Sequence, residues 1–122
     1  MGTLHGGVYC DLADAAMGYA YAATLADGES FTTVELKINF LRAVRRGNLT
    51  ADARVVKAGS ALGYVECDVT DHAGKLVNGS SLIGQRRHGH FAHAPAGRVA
   101  DTFLPAHSFA FVNRLLVSLF HQ

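Results

Sequence analysis

The sequence predicts an α+β fold: one long apolar helix, then four antiparallel strands whose sheet wraps around it. Three observations predict it. An alanine-rich run opens the chain, holding Ala13, Ala15, Ala16, Ala20, Ala22, Ala23 and Ala26. A stretch of strict alternation follows, in which Val34, Leu36, Ile38 and Phe40 take turns with Thr33, Glu35, Lys37 and Asn39. Beyond it, turn signals recur at short intervals, and short connections join antiparallel neighbours.

The helix comes first. Alanine loses almost no side-chain entropy on becoming helical. Val8, Leu12, Ala16 and Ala20 form one apolar stripe, widened by Met17, Tyr21 and Leu25 until little polar face is left. Such a helix is expected to be surrounded by other structure. Asp14 stands inside this run among Cys10, Ala13, Ala15, Met17 and Gly18, so it is expected to be buried. Burying an ionised carboxylate without a partner is costly, which demands a reason for Asp14. Asp27-Gly28 reads as a stop and a turn, placing the helix end near Ala26.

The strands follow in order. Phe31 to Arg42 is the first, closed by the turn Arg45-Arg46-Gly47-Asn48. In the second, Leu49, Ala51, Ala53 and Val55 alternate with Thr50, Asp52 and Arg54 before the turn Ala58-Gly59-Ser60. The third runs from Leu62 to Thr70, with Val65, Cys67 and Val69 opposed to Glu66 and Asp68. After Asp71-His72-Ala73-Gly74, residues Lys75 to Gln85 form the last. One face of this sheet needs cover, and the helix is the long apolar element available to supply it.

Composition sets the outer limits. A chain of 122 residues, 49% hydrophobic and 17% charged, suits one folded domain. A formal net charge of +1 favours neither nucleic acid nor a membrane surface as partner, and no apolar run is long enough to span a bilayer. Cys10 and Cys67 show no Cys-x-x-Cys spacing, and the start Met-Gly-Thr-Leu-His-Gly-Gly lacks the basic beginning of a secretory signal. Cytoplasmic location is the expectation. Asn48-Leu49-Thr50 and Asn78-Gly79-Ser80 match glycosylation sequons that carry little meaning without such a signal.

From Arg86 onward the composition changes. Residues 1–85 hold seven Lys/Arg against nine Asp/Glu, whereas 86–122 hold four arginines against Asp101 alone and five of the seven histidines. The chain therefore divides into a body, 1–85, and a basic, His-rich linker, 86–122, in which Phe109, Val112, Leu116 and Phe120 could line one side of a short C-terminal helix. Whether this tail packs on the body, mediates assembly or stays unordered is left open. His88, His90 and His93 have a spacing that suits a metal, but a solvated His-rich linker is preferred, so no metal and no cofactor is expected. Gly-x-Ser-x-Gly, P-loop and dinucleotide fingerprints are all missing, which argues against serine hydrolase, phosphoryl-transfer and nicotinamide chemistry.

The chemistry gathers at the helix mouth. Gly6 and Gly7 have no side chain to block an approaching group, and the first amides of a helix have no internal partner. Aided by the dipole, those N–H groups suit an oxygen that is gaining negative charge. Asp14 lies eight residues past Gly6, about 12 Å down the axis at 1.5 Å per residue. That is far for a single carbonyl. The gap closes if the glycines fold back over the helix, or if the carboxylate comes from a second copy, and geometry favours the second. Asp11 reads as a first-turn dipole residue, and Cys10 as a structural thiol with no base beside it.

His5-Gly6-Gly7, six residues and Asp14 form a pattern that resembles the hotdog-fold acyl-CoA thioesterases, in the branch of the phenylacetate-pathway enzymes. The resemblance extends over about residues 2–85, through Thr33 to Leu41, Val56-Lys57-Ala58-Gly59 and Gly74-Lys75-Leu76-Val77. It implies a hotdog fold and hydrolysis of acyl-CoA thioesters. It also implies roles: Asp14 as general base or nucleophile, the Gly6 N–H polarising the thioester carbonyl, His5 positioning the thioester end, and Thr33 orienting water from a neighbouring subunit. Gly7, Arg42, Lys57 and Ser60 match places where substrate, nucleotide or pantetheine contacts are plausible. The implied assembly is a homodimer or a homotetramer built from two dimers. Relatives carry an element before the His-Gly-Gly and an Asn six residues ahead of the His. That Asn would precede Met1, so an incomplete start is expected, and the segment after Gln85 has no recognised counterpart. Two other functions stay open: a hydratase or dehydratase of enoyl or hydroxyacyl thioesters, with His5 as its histidine, and a non-catalytic acyl-CoA-binding module.

Overall fold

The computed structural model describes residues 2–89 and the backbone of 114–119. The elements are α1 (Gly6–Ala22), β1 (Glu29–Phe40), β2 (Gly47–Ala58), β3 (Leu62–Thr70), β4 (Leu76–His88) and β5 (Arg114–Leu119). The strands form one antiparallel sheet in the order β1-β4-β3-β2-β5, with α1 against its inner face. This is the α+β architecture that the alternation predicts, with a fifth strand added. No helix among the described residues is long and apolar enough to cross a membrane.

The helix begins where His5 is still extended (φ −67°, ψ 139°) and its Nδ1 accepts from the Gly7 N–H at 3.0 Å. That bond satisfies one of the donors a helix start leaves open. The helix ends at Ala22 rather than near Ala26. The Ala23 N–H returns to the Tyr19 carbonyl, while the Thr24 N–H and hydroxyl both donate to Tyr21. These bonds close the last turn, and Gly28 at φ 79° completes the reversal into β1.

The buried stripe of α1 is Tyr9, Leu12, Ala13, Ala16, Met17, Ala20 and Tyr21. Beneath it lie Leu49, Ala51, Ala53, Val65, Cys67, Val69, Val77 and Leu82 from the sheet. Each such leucine or valine contributes about 1.5–3 kcal/mol by leaving water. The Tyr21 ring rests on Gly63 and Gly84, which face each other across β3 and β4. A Cβ added to them would stand 2.1 and 2.4 Å from that ring, so only glycine fits at either place.

Strand β1 departs from its predicted alternation at one point. The register slips between Thr33 and Glu35, leaving Val34 as a bulge that is more than half exposed. Strand β4 runs past Gln85 to His88, so residues 86–88 belong to the body. The Arg86 N–H donates to the Ala61 carbonyl at 2.8 Å, and its guanidinium pairs with Glu29 at 3.1 Å. His88 lies 3.0 Å from the same carboxylate.

Residues 114–119, expected within a C-terminal helix, are instead a strand paired antiparallel to β2, from Arg114 opposite Asp52 to Leu119 opposite Gly47. A short isolated helix is marginal, whereas the open edge of β2 offers a complete row of hydrogen-bond partners. Phe109, Val112, Phe120, His90 and His93 lie outside the described residues.

Candidate active site

The site begins with the end of the sheet where chain and helix mouth meet. The Leu4 N–H donates to the Val44 carbonyl at 2.8 Å, and the Val44 N–H donates to the Tyr9 hydroxyl at 3.2 Å. These two bonds pin the β1–β2 loop against the start of α1. The Phe40 ring meets Tyr9 edge-on, with centroids 6.1 Å apart. It also lies so close to Gly6 that a Cβ there would stand 3.3 Å from it. Gly6 thus brings a bare backbone amide up to an aromatic wall. Among the described residues nothing accepts from its N–H, while the neighbouring Gly7 N–H is held by His5. An acceptor Nδ1 carries its proton on Nε2, so His5 presents Nε2–H as its donor.

Gly6, Cys10, Asp14 and Gly18 follow one another at four-residue steps, which puts them on one row of the helix surface. Gly6 lies beside Phe40, and Gly18 lies beside Phe31 at 3.8 Å from a built Cβ. The row therefore runs along β1, and Asp14 occupies its middle. The expectation of a buried Asp14 is corrected: its side chain is exposed, on the side of α1 turned away from the core. Leu12, Ala13, Ala16 and Met17 meet the sheet, and at 100° per residue position 14 falls outside their arc. No described group donates to its carboxylate. Asp11, also exposed, lies beyond the first turn, which contains no acidic residue, so the dipole role is corrected too.

Between that row and β1 lies apolar surface the helix covers only in part. Val34, Leu36, Phe40 and Leu41 are exposed by 55, 37, 57 and 58%. Alternation predicts Leu36 and Phe40 to point inward, and so they do, in register with Leu82 and Asn78. What the pattern missed is that one helix is too narrow to cover a five-stranded sheet, so the inner face of the β1 edge stays bare. An edge strand carrying large apolar residues was the available signal.

The other predicted residues do not converge in one protomer. Arg42 sits in the β1–β2 loop, 3.3 Å from Asp71. The Lys75 and Ala73 amides, then His72 and Arg42, hold the Asp71 carboxyl below its ordinary range. Lys57 and Ser60, both exposed, lie at the far end of β2, about 35 Å from Arg42 at 3.3 Å per strand residue. Thr33 is exposed on β1 opposite Gly84, at that same far end. Gly6, Gly7, His5 and Arg42 thus mark one end, Thr33, Lys57 and Ser60 the other, with Asp14 between. Of the thiols, Cys10 is half-buried rather than enclosed, and burial pushes the Cys67 thiol up to about 12. Cys67 is therefore inert at neutral pH. Among the described residues no group of three His, Cys, Asp or Glu side chains could hold a metal ion.

Comparison with known proteins gives a consistent picture. The model of the Thioesterase superfamily matches residues 1–78. A candidate esterase of Saccharolobus solfataricus is 40% identical over 83 residues, covering 68% of this chain and 57% of its own. A second, from Halobacterium salinarum, is 38% identical over 74 residues, 59% of this chain and 48% of its own. The chain thus spans about half the length of the curated relatives it matches. A solved thioesterase of Haemophilus influenzae superposes with a TM-score of 0.71 at 29% identity, over 76% of this chain and 66% of that one. A Bacillus halodurans protein crystallised with coenzyme A gives 0.67 at 30%, over 70% and 56%. A phenylacetic acid degradation-related protein of Ralstonia eutropha gives 0.65 at 30%, over 69% and 63%.

Proposed function

This chain belongs to the thioesterase superfamily and has its hotdog fold, and from that premise we propose that it hydrolyses acyl-CoA thioesters to free acid and coenzyme A. The observation that carries the proposal is a pair of groups with no partner among the described residues, flanking partly exposed apolar surface: the Gly6 N–H at the helix mouth and the exposed Asp14 carboxylate. A relative of the same fold crystallised with coenzyme A supports the choice of thiol.

In the proposed reaction the acyl chain lies along Leu36 and Phe40, and the thioester oxygen accepts from the Gly6 N–H. Asp14 takes a proton from water as its oxygen attacks the carbonyl carbon. The tetrahedral oxyanion then collapses, the C–S bond breaks, and the proton held by Asp14 passes to the thiolate. Attack by Asp14 itself, followed by hydrolysis of the anhydride, uses the same placement. His5 steadies the thioester end while capping the helix. A hydratase is less well supported, because its histidine would have to be His5, whose Nδ1 is already taken by the Gly7 N–H and so is not free to act as a base.

The site needs a second copy. Suppose two β1 strands pair antiparallel about Leu36. Glu35 of each then faces Lys37 of the other, and the Phe40 end of one meets the Thr33 end of its mate. Such pairing would bring Asp14 and Thr33 of one copy toward Gly6 of the other, and Lys57 and Ser60 of one toward Arg42 of the other. A homodimer is the proposed unit, with a homotetramer as two such dimers, and two free thiols suit a cytoplasmic setting.

Thiol release across aromatic, short and long acyl-CoAs tests the reading. Asp14→Asn should lower kcat by about 10²–10⁴-fold, the span of a general base. Gly6→Pro should lower it by about 10²–10³-fold, the span of one oxyanion donor. The backbone accepts proline here, since Gly6 is the first helical residue and His5 before it is already extended. A Cβ there would stand 3.3 Å from the Phe40 ring, so Gly6→Ala, which adds the same Cβ and keeps the N–H, is the control. Equal thiol release by wild type and Asp14→Asn would overturn the assignment.

A further inference from the structure

Three of the seven Lys/Arg residues in 1–85 fall within five positions, Arg42, Arg45 and Arg46. The fold gives that cluster a shape. The β1–β2 loop and the β3–β4 turn stand together at the helix-mouth end of the sheet, around a cleft of about 260 Å³. Arg42, Ala43, Val44, Arg45, Arg46, Asp71 and His72 line it. Pockets for drug-sized ligands run to about 300–1,000 Å³, so this one suits a smaller guest.

Its one acidic group is already engaged. Asp71 accepts from the Ala73 N–H at 2.9 Å, the Lys75 N–H at 3.0 Å and the Arg42 guanidinium at 3.3 Å. Three arginines against one aspartate leave the lining at +2 with His72 neutral. Arg45 and Arg46 are exposed and have no acidic partner among the described residues. The walls are also held in place. Val44 is buried and doubly bonded to Leu4 and Tyr9, and His72 lies against Gly47, where its Nδ1 would stand 3.0 Å from a Cβ. Gly47 can occupy that place at φ 118° because it has no side chain.

We propose that this cleft binds a phosphate group, held by the Arg45 and Arg46 guanidinium forks with Arg42 and His72 at its rim. Planar guanidinium groups match phosphate oxygens two at a time, and the nearby positive end of α1 adds to the field. The phosphate has two sources: the nucleotide end of a coenzyme A thioester, which rests on the proposed function, or a free phosphate or nucleotide, which does not.

The experiment titrates inorganic phosphate and, separately, ADP into the full-length protein by calorimetry, without any acyl substrate. Arg45→Gln and Arg46→Gln should each weaken binding by about tenfold or more, the usual span for a charged hydrogen bond. Arg54→Gln, which removes the same charge from the ion pair with Glu66 on the outer face, should leave it unchanged. Melting curves of all variants report folding. Steady-state kinetics then separate the sources. A higher KM for acyl-CoA at constant kcat in Arg46→Gln marks the nucleotide end of the substrate. An unchanged KM beside weakened phosphate binding marks a free ligand. No heat with either probe, or equal binding by the arginine variants and wild type, overturns the proposal whether or not the protein cleaves thioesters.

Discussion

The two sides of the helix differ in how complete they are. Toward β2, β3 and β4, alanines and Tyr21 press so close that Gly63 and Gly84 have no room for a side chain. Toward β1, the same helix shows Gly6, Cys10, Asp14 and Gly18 beside Leu36 and Phe40, which remain 37 and 57% exposed. One side is a finished core. The other combines exposed apolar side chains with polar groups that have no partner among the described residues. A single protomer thus buries one flank of its helix fully and leaves the other partly open.

Breaking the finished side should give the largest effect. In Gly63→Val, side-chain atoms would enter the space of the Tyr21 ring, a cost of about 3 kcal/mol or more, at the upper end of overpacking. Denaturant unfolding should show it, and the double variant with Tyr21→Ala should lose less than the sum of the two single losses, because the clash and the ring are removed together. Full stability of Gly63→Val would mean that the packing of α1 is looser than described.

The open side should respond by losing assembly rather than fold. Lys37→Glu would set like charges across the proposed strand pair at two places, weakening the dimer by about tenfold or more. The double variant Glu35→Lys with Lys37→Glu should restore it. Sedimentation velocity reads both, and an unshifted dimer in the single variant would exclude β1 as the contact.

The smallest effect concerns acid. The Ala26 N–H, aided by Arg86 and His88, holds the Glu29 carboxyl below its ordinary 4.5. Its contribution is therefore present at neutral pH and fades as pH falls through 4.5 toward the lower folded value. The melting temperature should drop across that window, and Glu29→Gln should drop less. Identical slopes would show that the Glu29 carboxylate does not link β1 to β4.

Much of this was legible in the chain. Alternation revealed β1, β2 and β3, because a two-residue period says which side chains share a face. The bulge at Val34 was hidden, since it arises from pairing with β4 rather than from local propensity. Sequence context singles out Asp14 but gives the wrong burial for it. An apolar neighbourhood in sequence is not one in space when the helix meets the sheet on one side only. The strand at 114–119 was unreadable for a related reason: its conformation is set by the free edge of β2, more than 60 residues away.

In the proposed dimer one copy supplies the Gly6 donor and the other the Asp14 carboxylate. Mixing tests it most directly. Gly6→Pro and Asp14→Asn, each inactive alone, are combined under conditions that exchange subunits, and thiol release is measured. Half of randomly formed dimers are mixed, and each carries one site with both groups intact, so about a quarter of wild-type activity should return. No recovery, with mixed dimers demonstrated by differential tagging, would show that both groups serve one carbonyl from a single chain.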